Sequence, residues 1–201
     1  MKIQIRSDGS AVIEGYVNVV ERKSRVLRDV AGDFIEIVRA GTFQRALEAN
    51  PDVGLMFDHV RNLGSQADGV LELQEDAVGL HARALVSDTE VIDKARSGQL
   101  RGWSFGFRVL DDSWAEDDGM RVRTLNGIDL REVSILDVTP AYIATSIEMR
   151  DDATSLLEFR MADEPLEITE EPKPEPEPAP EPEPFVNADI YRKKLEILKL
   201  K

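Results

Sequence analysis

Apolar and polar residues alternate in short stretches over the first 140 positions, the pattern of half-buried strands rather than of long amphipathic helices. Val12 to Val19 reads as a strand after a turn at Asp8-Gly9, and Phe34 to Val38 and Val53 to Phe57 bracket a helical piece. Val70 to Leu73 and Val78 to Val86 read as a hairpin. In its second strand Val78, Leu80, Ala82, Ala84 and Val86 share a face, because strand side chains alternate with period two. Strands resume at Trp103 to Leu110, Arg121 to Leu125 and Ile128 to Val138.

Two helices interrupt the strands. Thr42 is the expected cap of the first, whose Phe43, Ala46 and Leu47 fall on one side. The second opens with Ser87-Asp88-Thr89-Glu90, a capping-box spacing, carries Val91, Ile92 and Ala95 on one face, and stops at Gly98. Both are short enough to flank a sheet or barrel rather than build a bundle. The expected class is mainly β with flanking helices (α+β).

The pattern changes after residue 150. Eight of the 10 prolines lie between Pro165 and Pro184, and from Pro172 onward proline alternates mostly with glutamate. Every second backbone donor is then missing and φ is held near the polyproline value, so a stiff spacer on the order of 40 Å is expected there. Beyond it, Ile190, Leu195, Ile197, Leu198 and Leu200 stand among lysines as a short basic amphipathic segment that needs a partner surface. The expected organisation is a body over 1–150, a helical or irregular extension over 151–164, an acidic linker over 165–184 and the basic segment over 185–201. Residues 165–201 are expected to be dispensable for folding.

Charge narrows the partners. The body carries 25 acids and 18 bases, residues 151–184 carry 12 and 2, and the last 17 residues carry 2 and 5, within a net charge of -14. Such a chain repels phosphates, and no basic stripe with interleaved aromatics opposes that, so no nucleic-acid partner is expected. With no cysteine there is no disulfide, thiolate metal site or cysteine nucleophile, which suits a reducing cytoplasm. No apolar run of membrane-spanning length occurs, and no membrane partner is expected.

His59 and His81 are the two histidines. His81 sits mid-strand, opposite in parity to the apolar stripe, and reads as a surface histidine. His59 follows an apolar strand and precedes a glycine-containing loop, where catalytic groups are often displayed, although for a strand-end histidine taken alone a structural role is the commoner one. Ser104 lies in Gly102-Trp103-Ser104-Phe105-Gly106-Phe107, on the face opposite the rings, and reads either as an ordinary small strand residue or as a hydroxyl with room for a substrate beside Gly106. Glu132 interrupts an apolar stripe in Leu130-Arg131-Glu132-Val133-Ser134-Ile135-Leu136. An imidazole or Arg101 would partner it, or a bulge would turn it outward. Taken together, the three fit one mechanism: a hydroxyl needs a base, and the base needs an orienting group. Two histidines far apart, without Cys or H-E-x-x-H, make a poor zinc site, and no phosphate-loop or dinucleotide motif occurs, so neither metal nor cofactor is expected.

Phe57-Asp58-His59, Leu63-Gly64, Val78-Gly79-Leu80 to Leu85, Ser97 to Phe107, and Leu130 to Ile135 with Thr139-Pro140-Ala141-Tyr142 resemble, in order, blocks of the HK97-type phage prohead protease family, related to herpesvirus assemblin. The likeness runs from about Ile13 to Met149. Gly41-Thr42-Phe43 resembles a Pro-Gly-Ala-Phe block, with Ala40 in place of the proline.

The resemblance implies an antiparallel assemblin-like β-barrel. It implies Ser104 as nucleophile, His59 as base and then acid, and Glu132 as orienting carboxylate, with the loop Thr139 to Tyr142 at the oxyanion hole. Implied substrates and partners are the major capsid protein with its scaffolding segment, any separate scaffold and the protease itself, inside the assembling prohead in the host cytoplasm. A homodimer is implied as well. Two other readings stand beside this one: a non-catalytic capsid-assembly or scaffold protein with the same fold, and a peptide-binding module working through the Pro-Glu tail.

Overall fold

The computed structural model describes residues 1–137, 158–161 and 166–172, with Arg192, Lys193, Leu195 and Lys199. The polyproline stretch, most of the basic segment and the loop Thr139 to Tyr142 lie outside the described residues.

Strands β1 (Lys2–Ile5), β2 (Ala11–Val19), β3 (Leu27–Asp29) and β4 (Gly32–Val38) lead into helix α1 (Thr42–Ala49). Then come β5 (Gly54–Phe57), β6 (Arg61–Ser65), β7 (Leu71–Glu75), β8 (Gly79–Val86) and helix α2 (Thr89–Arg96). The long pair β9 (Gly102–Asp117) and β10 (Met120–Leu136) precedes two short strands, β11 (Glu158–Met161) and β12 (Glu167–Glu170). The chain is mainly β with two helices among the described residues, as the alternation predicts.

One sheet runs β12-β1-β2-β8-β7, and the other β11-β9-β10-β4-β3, with β5 paired to β10 and β6 to β5. The two share one apolar core, to which β2 and β8 give Ile13, Val17, Leu80 and Ala82, and β9 and β10 give Trp103, Phe105, Phe107, Leu130 and Val133. The implied antiparallel barrel needs correction on both counts. The sheets do not close on each other among the described residues, because β11 takes the free edge of β9 and β12 takes that of β1. Nor is the pairing wholly antiparallel. β4 and β5 both run parallel to β10, at opposite ends of one edge, because α1 carries the chain along β10 between them without reversing it.

Both helix starts differ in detail from expectation. The cap of α1 is Gly41 at φ 81, a conformation that costs glycine little, and no side chain of its own satisfies the helix end. Glu75 on β7 does so from outside, accepting from the N–H groups of Gly41 and Gln44 at 2.6 Å each. Thr42 is instead buried, its hydroxyl directed to the carbonyls of Leu125 and Asn126. In α2 the cap is Asp88, one residue later than Ser87, accepting from Val91 N–H at 3.1 Å. Val91, Ile92 and Ala95 are buried as their spacing predicts. Val78 leaves the apolar stripe of β8: it sits exposed in the turn held by Asp76.

Candidate active site

His59 is displayed by a turn that holds two non-glycine residues at positive φ, Asp58 at 49 and His59 at 60. Val60 N–H closes the turn onto Phe57 O at 3.1 Å. Side-chain-bearing residues reach this region at a cost, and it persists where the surroundings enforce it. Here β10 supplies the enforcement. Asp58 N–H donates to Ile135 O at 3.0 Å, His59 N–H donates to Ser134 Oγ at 2.9 Å, and Asp137 N–H donates to Asp58 Oδ1 at 3.1 Å.

Ser104 and Glu132 meet through the β9–β10 ladder. Ser134 stands opposite Ser104 and Glu132 opposite Gly106, with a register shift between Leu130 and Glu132 that leaves Arg131 without a counterpart. This bulge reverses the parity of the strand. Leu130 pairs with Phe107 and Val133 with Phe105 on the core face, so Glu132 is turned to the other face, beside Gly106.

The imidazole bridges the two. Its Nδ1 lies 2.5 Å from Glu132 Oε1 and its Nε2 lies 2.9 Å from Ser104 Oγ. An ionised carboxylate only accepts, so Nδ1 carries the proton and Nε2 is free to accept from the Ser104 hydroxyl. The imidazole, rather than Arg101, is thus the partner of Glu132. His81 lies in the other sheet, edge-on to Tyr16 and beside Glu14.

Around this row are groups that residue spacing did not single out. Ser134 fixes the His59 backbone, and its place two residues after Glu132 on the same strand face was the available signal. Asp58 packs against Asp137, which ion-pairs with Lys94 of α2. Burial, and then the hydrogen bond with Asp137, pushes the Asp58 carboxyl up to about 6, while Lys94 holds Asp137 below the ordinary range. Phe159 of β11 lies against the imidazole with ring centroids 4.2 Å apart. Ser104 is only 2% exposed. Among the described residues no group of three or more His, Asp or Glu side chains is placed to hold a metal ion.

A hydroxyl, an imidazole and a carboxylate in hydrogen-bonded sequence are the parts of a serine hydrolase. The sequence profile of the caudovirus prohead serine proteases matches residues 1–158. The chain belongs to this family. A curated relative, the prohead protease of Escherichia phage T5, is 29% identical over 140 residues, covering 67% of this chain and 63% of the relative. The chain therefore spans less than two thirds of that relative's length. No solved structure matches. Within the family match fall the His59 turn, the whole β9–β10 ladder and the first residue of β11.

Proposed function

We propose that this chain is a prohead serine endopeptidase with Ser104 as nucleophile, His59 as general base and Glu132 as orienting carboxylate. The observation that supports this reading is the imidazole held between the other two at 2.9 and 2.5 Å. In the proposed cycle Nε2 takes the Ser104 proton as Oγ attacks the scissile carbonyl, and Glu132 stabilises the imidazolium that results. The imidazolium then protonates the leaving amine, and water, deprotonated by the same nitrogen, releases the acyl group. General-base help is worth about 10² to 10⁴ in rate. Oxyanion donors are assigned, by analogy, to the loop Thr139 to Tyr142.

The substrates we propose are the scaffolding segment of the major capsid protein, any separate scaffold and the chain itself, cut inside the assembling prohead in the host cytoplasm. We also propose that the enzyme works as a homodimer and that the Pro-Glu spacer with its basic end tethers it near these substrates, raising their effective concentration. The test is co-expression with the capsid protein followed by mass spectrometry of both chains. Ser104→Ala should abolish every new terminus while leaving the fold intact, and undiminished cleavage by that variant overturns the reading. One observation favours the second reading, a non-catalytic assembly protein: Ser104 is almost fully covered. Absence of any cut by the wild-type chain would support it.

A further inference from the structure

Beside Ser104, on the edge of β9, lies a strand of the chain itself. β11 is four residues long and adds antiparallel to β9, with Met161 opposite Ser104, Arg160 opposite Phe105, Phe159 opposite Gly106 and Glu158 opposite Phe107. A peptide that recognises a sheet edge does so in this manner, by main-chain pairing with pockets for alternate side chains. The proposed nucleophile thus lies on the strand to which this short segment is bound.

Alternate side chains of the segment do go to separate places. Phe159 passes over Gly106 and onto the imidazole of His59. Glu158 and Arg160 go to the opposite side, where Glu36 of β4 and Arg123 of β10 meet them. Arg160 Nε and Nη2 donate to the two oxygens of Glu36 at 2.6 and 2.8 Å, a bidentate fork. Arg123 Nη1 donates to both oxygens of Glu158 at 3.0 and 2.9 Å. Glu36 is 3% exposed and Arg160 is 7% exposed.

A carboxylate so deep in a sheet is costly unless a cation reaches it. Arg123 comes no closer to Glu36 than 3.4 Å and is engaged by Asp112 at 2.6 Å, so the close partner of Glu36 is the arginine that arrives with β11. Were β11 to leave, an acidic pocket and a neighbouring basic one would open beside the nucleophile strand, two strand positions apart in what they read.

We propose that this edge of β9 is the peptide-binding edge of the protease, that Glu158–Met161 occupies it as a strand supplied by the chain itself, and that Glu36 and Arg123 are specificity residues for an acidic-x-arginine pattern in the peptide that replaces it. The proposal rests on the protease reading above and accounts for the burial of Ser104. In the closed form the segment excludes substrate, and its release is the activating step.

The experiment uses the full chain and two probes: a fluorophosphonate that labels an activated serine, and a fluorescent peptide of residues 155–161 followed by anisotropy. Phe159→Ala removes the ring over His59 and loosens β11, and Phe159→Leu, which keeps apolar bulk, replaces it should the alanine variant melt. Either folded variant should label at Ser104 on the order of tenfold faster than wild type and bind the peptide correspondingly more tightly, since both readouts follow the open population. Alanine in place of Arg160 in the peptide should weaken its binding about tenfold, the loss of one charge-assisted fork. Adding Glu36→Gln to the protein should erase that difference. Equal labelling and equal binding by the folded variant and wild type overturn the proposal, as does equal binding of the arginine and alanine peptides. Selective peptide binding without any serine labelling would remove the catalytic reading and leave the peptide edge standing.

Discussion

Gly106 is the point at which a single methyl group tests the proposed machinery. A Cβ there would fall 2.8 Å from Phe159 Cε1 and 2.9 Å from Glu132 Cγ. Carbons pack at about 3.5–4.0 Å, so each neighbour must retreat by roughly 0.6 Å or more. For Glu132 that retreat carries its 2.5 Å contact with the imidazole past about 3 Å, out of the range of a strong charge-assisted bond. Such a bond contributes about 1.5–3 kcal/mol, and roughly 1.4 kcal/mol is a tenfold change in rate, so a loss of about ten- to a hundredfold is expected. Pushing Phe159 aside would also uncover the site, which works in the opposite direction. The clean measurement is therefore the serine-labelling rate of Gly106→Ala in the Phe159→Ala background, compared with Phe159→Ala alone. There Glu132, at 2.9 Å, is the nearest group left to oppose the methyl. An unchanged rate in folded protein would refute the assignment of Glu132 as the orienting group.

Asp58→Asn should stabilise the protein above pH 6 and have no such effect below pH 4. The carboxyl is raised from 3.8 to about 6 on folding, so the native state resists its ionisation and the cost is fully present once both states are charged. Melting temperatures of both proteins across pH 4 to 8 decide this, and a constant difference would contradict it. Glu36→Ala should destabilise by about 3 kcal/mol in urea unfolding, because buried Arg160 loses its bidentate carboxylate and keeps Glu158 and the Phe159 carbonyl. A chain ending at Pro172 should melt like the full chain, whereas one ending at Glu164 should lose about 2 kcal/mol, since it gives up β12 on β1 and Leu166 against the core.

That last pair moves the point at which the tail becomes expendable. Residues 151–170 do alternate, in Leu157-Glu158-Phe159-Arg160-Met161 and Leu166-Glu167-Ile168-Thr169, but each run is short and set among acids and the first of the clustered prolines, so the composition of the segment outweighs its period. Every residue of β12 is exposed, so its one apolar side chain, Ile168, lines no buried face, and the strand is held by main-chain pairing to β1. Strands of the body are legible where one face is buried, as at Leu80, Ala82, Ala84 and Val86, whereas β6, which buries no residue, reads as a loop. Candidate site residues were legible for a different reason: with two histidines in the chain, few combinations of hydroxyl, base and carboxylate exist. The spatial details were not. Parity aligns Glu132 with Leu130 and Leu136 and leaves a buried partner or an outward-turning bulge as alternatives; the bulge is found, at Arg131, where no glycine marks its position. One of the two sequence readings leaves room for a substrate beside Gly106, and in the fold that space is filled by Phe159 and Glu132, residues 53 and 26 positions away in sequence.

The β9–β10 ribbon has a practical consequence. Its near end holds the reacting side chains, and its far end turns through Asp118-Gly119, an exposed corner with Gly119 at φ 75. Asp117 stands thirteen positions beyond Ser104, on the order of 40 Å of strand. A reporter dye or purification handle inserted at that corner would stand clear of the chemistry, yet be joined to it by one paired ribbon of two strands.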